Sequence, residues 1–599
     1  MIFRPFDRAA ALLLLFLPAP SLAATFPLAP LPADRPWSGA SERLVAKKTD
    51  PWITPTESSG FVDTPDYAAT RAWLEKLVAA SPLLKLESFG TSPEGRDLYY
   101  IRASKGAAGK PVLLAQGGIH SGEIDGKDAG LMLLRDIALR GKDELLDKAD
   151  LVFVPIFNVD GHERKSAYSR PNQRGPALQG WRTTAQNLNL NRDYLKADAP
   201  EMQAMIALIR KLDPALYLDL HVTDGADYQY DITMGFVGWE GYYARSPAIG
   251  RWLDTRFRPA ISGALTREGH IPGLYVSGLD DRDPDKGMAL GADTPRYSTG
   301  YGDVARIPTV LVEAHSLKNY RQRVLGTYVL VEAALKLIGD DAAGVRVAIA
   351  ADRAARPTET VLRWKPQPEP LYTVDFLGVA HDRYRSPASG RDEVRWLGTP
   401  VTQKMPVFGE EPALTMTLPR AWWVPASATA AIERLQRHGV AFATLTAPRT
   451  LSVDMVRLVN PRIGKADEGR VPLTAGFVHE RRRETFPAGS VRVPSDQPLA
   501  VLAAQLLEAE SPDGVLAWNF FPAILQRTEY MEAYVTAPMA DTMLARDPAL
   551  KAEFEAKLAA DKAFAADGDA RLAWFYAQTP YFDDRYLLYP VAREIDAPE

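Results

Sequence analysis

The sequence predicts an α/β fold. Residues 61–345 should form a mixed sheet flanked by helices, and residues 346–599 a mixed α/β C-terminal accessory region of one or two subdomains. Three observations carry this. Between about 61 and 345, short, mostly apolar runs alternate with amphipathic stretches, as expected for strands and helices layered on one another. The runs are bounded by polar or turn residues, as buried strands are. Around 345–370 the composition shifts to Ala, Arg and Pro, which marks a boundary.

Taken in order, residues 1–23 read as an export signal. Arg4 and Arg8 give a positive start, Ala9 to Leu17 is an unbroken apolar run, and Ser21-Leu22-Ala23 offers small residues for cleavage. That run is too short to span a bilayer, and no later stretch is longer, so a soluble secreted or periplasmic protein is expected. Residues 24–60 are Pro-rich and aperiodic, an N-terminal arm. A helix is predicted over Tyr67–Ala80, where Ala69, Trp73 and Leu77 form one stripe. Strands are predicted at Val112–Ala115, Leu151–Phe157, Tyr217–Leu220 and Thr309–Val312, with helices at Lys127–Leu139, Pro200–Leu212 and Pro247–Phe257, the last capped by Ser246. Beyond the boundary, Trp422–Val424, Ala428–His438 and Val440–Leu445 read as strand, helix and strand, with Gly439 closing the helix. Asp547-Pro548 begins a further helix carrying Leu550, Phe554 and Leu558. Trp518 to Phe521 reads as packed core rather than a binding surface.

Composition narrows the chemistry. With 46% hydrophobic and 24% charged residues the chain is an ordinary globular one, which excludes disorder as its main state. Its net charge of −5 argues against a dedicated nucleic-acid binder. There are no cysteines, so thiol nucleophiles and thiolate metal ligands are excluded and any metal must be held by His, Asp or Glu. The informative polar residues follow the four strands: His120-Ser121-Gly122-Glu123 after the first, Asn158-Val159-Asp160-Gly161 after the second, Asp219-Leu220-His221 at the end of the third and Glu313 at the end of the fourth. In open α/β sheets, ligands bind beyond the carboxyl ends of strands. His120 and Glu123, three apart, can be aimed by one turn at a single ion. His221 completes the two-His, one-Glu set of catalytic zinc, which leaves a position open.

Several segments, in order, resemble the zinc carboxypeptidase family over roughly residues 61–340. They are Gly90-Thr91-Ser92-Pro93-Glu94-Gly95-Arg96, the His120-x-x-Glu123 pair and Asn158-Val159-Asp160-Gly161, with Val where Pro is usual. They continue with Asn189-Leu190-Asn191-Arg192-Asp193, where the family has Asp-Leu-Asn-Arg-Asn, then Asp219-Leu220-His221 and Ile307-Pro308-Thr309 through Glu313. The resemblance implies a zinc carboxypeptidase-like domain holding one zinc ion per chain through His120, Glu123 and His221. It makes Glu313 the general base, which takes a proton from the attacking water and returns it to the leaving amine. Asn191 and Arg192 would grip the substrate's free C-terminal carboxylate, guanidinium matching carboxylate with paired bonds. Arg170, chosen over Arg164, Arg174 and Arg182, would stand over the developing oxyanion. The family's mobile tyrosine falls on Tyr301 or Tyr297, of which Tyr301 is preferred, and Tyr297 lies in the stretch expected to line the specificity pocket.

Among neighbouring residues, His315 reads as a structural imidazole and His162 as a loop residue. Asp219 either orients a ligand or faces away. The leading functional reading is an exported zinc metallocarboxypeptidase acting on peptides with a free C-terminal carboxylate. The alternatives are a zinc amidase acting on cell-wall peptides or N-acyl amino acids, and a non-catalytic peptide-binding module.

Overall fold

A computed structural model describes residues 27–595. The segment read as an export signal lies outside the described residues. An eight-stranded mixed sheet organises the first part of the chain. Its strands are β1 (Leu84–Thr91), β2 (Asp97–Ala103), β3 (Val112–Gly117), β4 (Asp150–Val154), β5 (Leu216–Val222), β6 (Ile232–Gly235), β7 (Pro272–Leu274) and, after the short pair β8 (Ser277–Gly278) and β9 (Met288–Ala289), β10 (Thr309–Ala314). The order is β1-β2-β4-β3-β5-β10-β6-β7. The inner strands β4, β3, β5 and β10 run parallel. They are buried on both faces, which is why they read as short apolar runs rather than alternating ones.

One face of the sheet is covered by the helices Tyr67–Ala80, Asp125–Leu139 and Tyr320–Asp340, which bury Trp73, Leu131 and Tyr328. Close packing here depends on Gly130, at which a Cβ would sit 2.0 Å from Cζ of the fully buried Phe153. Gly130→Ala should therefore lower the thermal midpoint. Overpacking costs about 1–3 kcal/mol against about 1 kcal/mol of helix propensity gained. An unchanged or raised midpoint in calorimetry would contradict this packing. The predicted helix at Pro247–Phe257 runs on to Arg267, with a π-type turn at Leu253–Phe257 just before Pro259, which lacks the N–H that an unbroken ladder requires. Ser246 does precede it, but its hydroxyl bonds the Asp303 carbonyl instead of capping the helix.

The boundary drawn at 345/346 falls inside the helix Ala342–Ala354. Its Ala-rich composition is that of a helix former rather than a linker. From Glu359 the chain forms a long ribbon of β11 (Glu359–Arg385) and β12 (Asp392–Thr417), paired antiparallel with register shifts near Pro366 and Pro370. The prolines hid this ribbon from sequence reading; those at 366 and 370 fall where its register shifts and on the outer strand β11, while β12 pairs on its other side with β9 at Val407 and Phe408, in a four-stranded sheet β11-β12-β9-β8. A six-stranded sheet follows, made of β13 (Ala421–Val424), β14 (Ala443–Thr444), β15 (Arg449–Ile463), β16 (Leu473–Phe486), β17 (Val491–Pro494) and β18 (Ala592–Glu594). Only Ala443–Thr444 of the expected strand Val440–Leu445 forms. Helices over 533–577 close a small cluster around Phe554, Phe564 and Phe575.

The accessory region shares a core with the eight-stranded sheet. Leu114 and Tyr217 of the sheet, Ile206 of the helix Pro200–Leu212 and Val304 of the helix Ser298–Ala305 pack in one cluster with Trp422, Leu435, Val493 and Leu502. The second face of the sheet, which would otherwise be exposed, is buried in this way.

Candidate metal centre

The chain leaves β3 through Gly118 at φ +70°, and a tight turn brings the Glu123 N–H within 2.9 Å of the His120 carbonyl. That turn aims both side chains at one point. His221, near the end of β5, faces them. Nδ1 of His120 lies 2.9 Å from Glu123 Oε1, and Nδ1 of His221 lies 2.9 Å from Glu123 Oε2. All three groups are buried, and their donor atoms lie within 4.8 Å of one another. Behind the imidazoles, Nε2 of His120 donates to Asn189 Oδ1 at 3.0 Å, while Nε2 of His221 lies 3.0 Å from Asp219 Oδ2, an ion-pair distance without hydrogen-bond geometry. Asp219 therefore faces the ligand. At His120 the acceptor behind Nε2 keeps the proton there and leaves Nδ1 to face a divalent cation. The donor set, two imidazoles and one carboxylate, suits zinc.

Glu313 stands beside this cluster, because β10 pairs with β5 in a register that sets Glu313 opposite His221. It is buried, and its Oε2 has no hydrogen-bond partner among the described residues. Burial raises its pKa to about 8; His221 pulls it down and Glu123 pushes it up. Burial alone would also raise Glu123, but His120, Arg170 and His221 hold it well below the ordinary carboxyl range.

Residues 70–234 match the family model for zinc carboxypeptidases. This domain belongs to the zinc carboxypeptidase family. Carboxypeptidase B of Astacus astacus is 30% identical over 100 residues, 16% of this chain and 33% of that protein. Carboxypeptidase 2 of Trichophyton rubrum is 23% identical over 467 residues, 72% of this chain and 79% of that one. The chain thus spans about a third of the crayfish protein's length and most of the fungal one's. Among solved structures, a metallo-carboxypeptidase from Burkholderia cenocepacia aligns over 46% of this chain and 69% of its own, with 17% identity and a TM-score of 0.35. Carboxypeptidase A from Helicoverpa armigera aligns over 49% and 75%, with 20% identity and a TM-score of 0.35.

The cations of the zinc carboxypeptidase domain are not arranged as the sequence suggested. Arg170 is buried behind Glu123. Its guanidinium donates to Glu123 Oε1 at 2.8 Å and to the Val222 and Thr223 carbonyls at 3.1 and 3.3 Å, and it pairs with Asp224 at 2.7 Å. With its donors occupied and no face on the cavity, it cannot meet a developing oxyanion. Arg182 lines the cavity instead and reaches Glu123 Oε1 at 3.3 Å. Tyr301 is a second correction. It lies in the core beneath the sheet, packed on Tyr194, with its hydroxyl 3.1 Å from His438 Nδ1 of the accessory region. Tyr297 faces the cavity, its ring 4.6 Å from the Arg192 guanidinium, and Asn191 lies beside them. His315 is structural: its ring packs tilted against Tyr228 with centroids 4.2 Å apart, and its Nε2 accepts the Tyr228 N–H. His162 belongs to the helix Val159–Glu163 rather than a loop, and burial together with Lys127 lowers its pKa to about 3.

The cavity measures about 700 Å³. It joins the metal cluster, Glu313, Arg182, Asn191, Arg192 and Tyr297, and it also contains residues that sequence reasoning missed. Tyr275 and Tyr228 lie close enough to Glu313 for its charge to help raise their pKa values, with burial. Phe376, Trp396 and Met405 come from the β11–β12 ribbon, which forms one wall. The ribbon is fixed there by the Gln229 N–H, which donates to the Leu377 carbonyl at 2.9 Å, and by Phe376 against Tyr228 and Tyr230. Asn189 had a signal, its place at the head of the Asn189–Asp193 segment; the ribbon residues had none.

Proposed function

We propose that this chain is a zinc metallocarboxypeptidase that hydrolyses the C-terminal peptide bond of peptides. One observation carries the reading: a buried His120–Glu123–His221 cluster adjoins Glu313, whose Oε2 has no hydrogen-bond partner among the described residues, on the wall of a cavity that also holds Asn191 and Arg192. When bound, one zinc ion per chain supplies Lewis acidity to the scissile carbonyl and to the attacking water.

The chain's own residues do the rest. Asn191 and Arg192 bind the substrate's terminal carboxylate, with Tyr297 supporting the guanidinium by stacking. The bond to be cut is thereby held beside Glu313. Glu313 accepts the water's proton through its unpaired Oε2 and passes it to the leaving amine. Arg182, on the cavity wall, stabilises the charge that develops on the carbonyl oxygen. The ribbon residues Phe376, Trp396 and Met405 exclude water from the opposite wall. Export is part of the proposal and rests on the sequence of residues 1–23. No helix among the described residues is long and apolar enough to cross a membrane.

The deciding experiment is a mass-spectrometric screen of a peptide library with and without C-terminal amidation. Loss of single C-terminal residues from free peptides alone is expected. Cleavage of amidated and free peptides alike would favour an amidase or endopeptidase, and no cleavage a binding module. Arg192→Ala should lower kcat/KM for free-carboxylate peptides roughly 100-fold, the scale of a lost charge-assisted pair. Residual cleavage of amidated peptides should not change, and an equal loss on both would remove Arg192 from the clamp.

A further inference from the structure

The turn joining β15 to β16 crosses from the accessory region to the metal centre. Asp467 and Arg470 close it with reciprocal backbone bonds of 2.8 and 2.9 Å, leaving Glu468 and Gly469 between them at φ +46° and +79°. Two successive left-handed residues are the preserve of Asn-Gly or Asp-Gly. A glutamate in the first place is strained, and strain kept at a non-glycine residue points to a task for its side chain. Gly469 presses on the catalytic domain so closely that a Cβ would lie 2.4 Å from Leu188 Cδ2. Arg470 forks onto Asp198 with two bonds of 2.7 Å. Both contacts dock the turn on the catalytic domain, and neither uses Glu468.

Glu468 Oε2 accepts the backbone N–H of Asn189 at 3.1 Å. Asn189 in turn spends one oxygen twice: Oδ1 accepts from Nε2 of His120 and from the backbone N–H of Asn191, both at 3.0 Å. Position 189 holds an amide where the resembled segment carries a carboxylate. Behind Asn189 a further acceptor, Glu468 Oε2, is supplied from the accessory region.

We infer that Glu468 is a positioning residue for both the metal centre and the carboxylate clamp. By fixing the Asn189 backbone it holds the amide oxygen that keeps His120 in its Nε2–H form, with Nδ1 turned to the ion, and the same oxygen sets Asn191. The accessory region is therefore a working part of the site. The inference rests on the metal reading proposed above.

The test is zinc affinity, measured on the metal-stripped full-length chain by competition with a chromophoric chelator, with no substrate present. Glu468→Ala should bind zinc about tenfold more weakly, the lower end of the effect of removing a supporting group. Glu468→Gln keeps a carbonyl acceptor and should stay within about threefold of the parent. Lys465→Ala, exposed beside the same turn, should match the parent. In turnover, Glu468→Ala should raise KM for free-carboxylate peptides more than it lowers kcat. An unchanged zinc affinity in Glu468→Ala overturns the inference, and so does an equal loss in Lys465→Ala. If no form of the chain binds zinc, the metal reading fails, and 15N-histidine spectra decide Glu468 separately. His120 in the Nε2–H tautomer in the parent and in a tautomer mixture in Glu468→Ala supports its role; identical spectra refute it.

Discussion

Glu313→Gln is expected to bind zinc as the parent does and to lose about 10²–10⁴ of kcat, the range general-base catalysis contributes. The amide keeps the volume and an acceptor oxygen but cannot take a proton. KM should move little, because Glu313 is not part of the clamp. A second readout comes from stability. In the metal-free chain, burial raises the Glu313 carboxyl to about 8, above the ordinary value of 4.5. The folded state then holds a proton that the unfolded state has released, so stability falls as pH rises through the window from about 4.5 to about 8. Glu313→Gln removes that share of the slope and should be no less stable than the parent at neutral pH. Retained turnover in stopped-flow assays would exclude Glu313 as the base.

His221→Ala is expected to be the most damaging single change. It removes one of three ligands, so zinc affinity should fall by more than about 100-fold, beyond the usual effect of losing only a supporting group. Turnover should fall to background and should not return on adding zinc at concentrations that restore chelator-treated parent enzyme. It also leaves Asp219 and Glu123 buried without the imidazole between them. Breaking a buried charge pair costs about 3–5 kcal/mol, so the thermal midpoint of the metal-free protein should drop too. Zinc-dependent turnover in His221→Ala would rule out the cluster as the catalytic metal site.

How much was legible depended on how local each feature was. The helices Tyr67–Ala80 and Pro200–Leu212 run as predicted, because their boundaries are set by a capping Asp66 in one and a Pro at the first turn in the other. The strands that carry the metal cluster were legible because inner parallel strands are short apolar runs, with polar residues gathered at their carboxyl ends. The choice between Arg170 and Arg182, or between Tyr301 and Tyr297, was not. Each pair lies in a segment without period, and which member faces the cavity depends on contacts more than forty residues away, such as Arg170 with Glu123 or Tyr301 with His438.

By itself the sequence determined the donor types, the three-residue step from His120 to Glu123, and the strand ends on which His221 and Glu313 sit. These follow from chain direction and side-chain alternation, which act over a few residues. The tertiary structure alone decided that Arg182 rather than Arg170 looks into the cavity, that a proline-rich ribbon walls it, and that Glu468 stands behind Asn189. Each of these is a packing outcome between segments far apart in the chain. Such contacts are selected by the shape and burial of the whole core, which no local pattern of residues records.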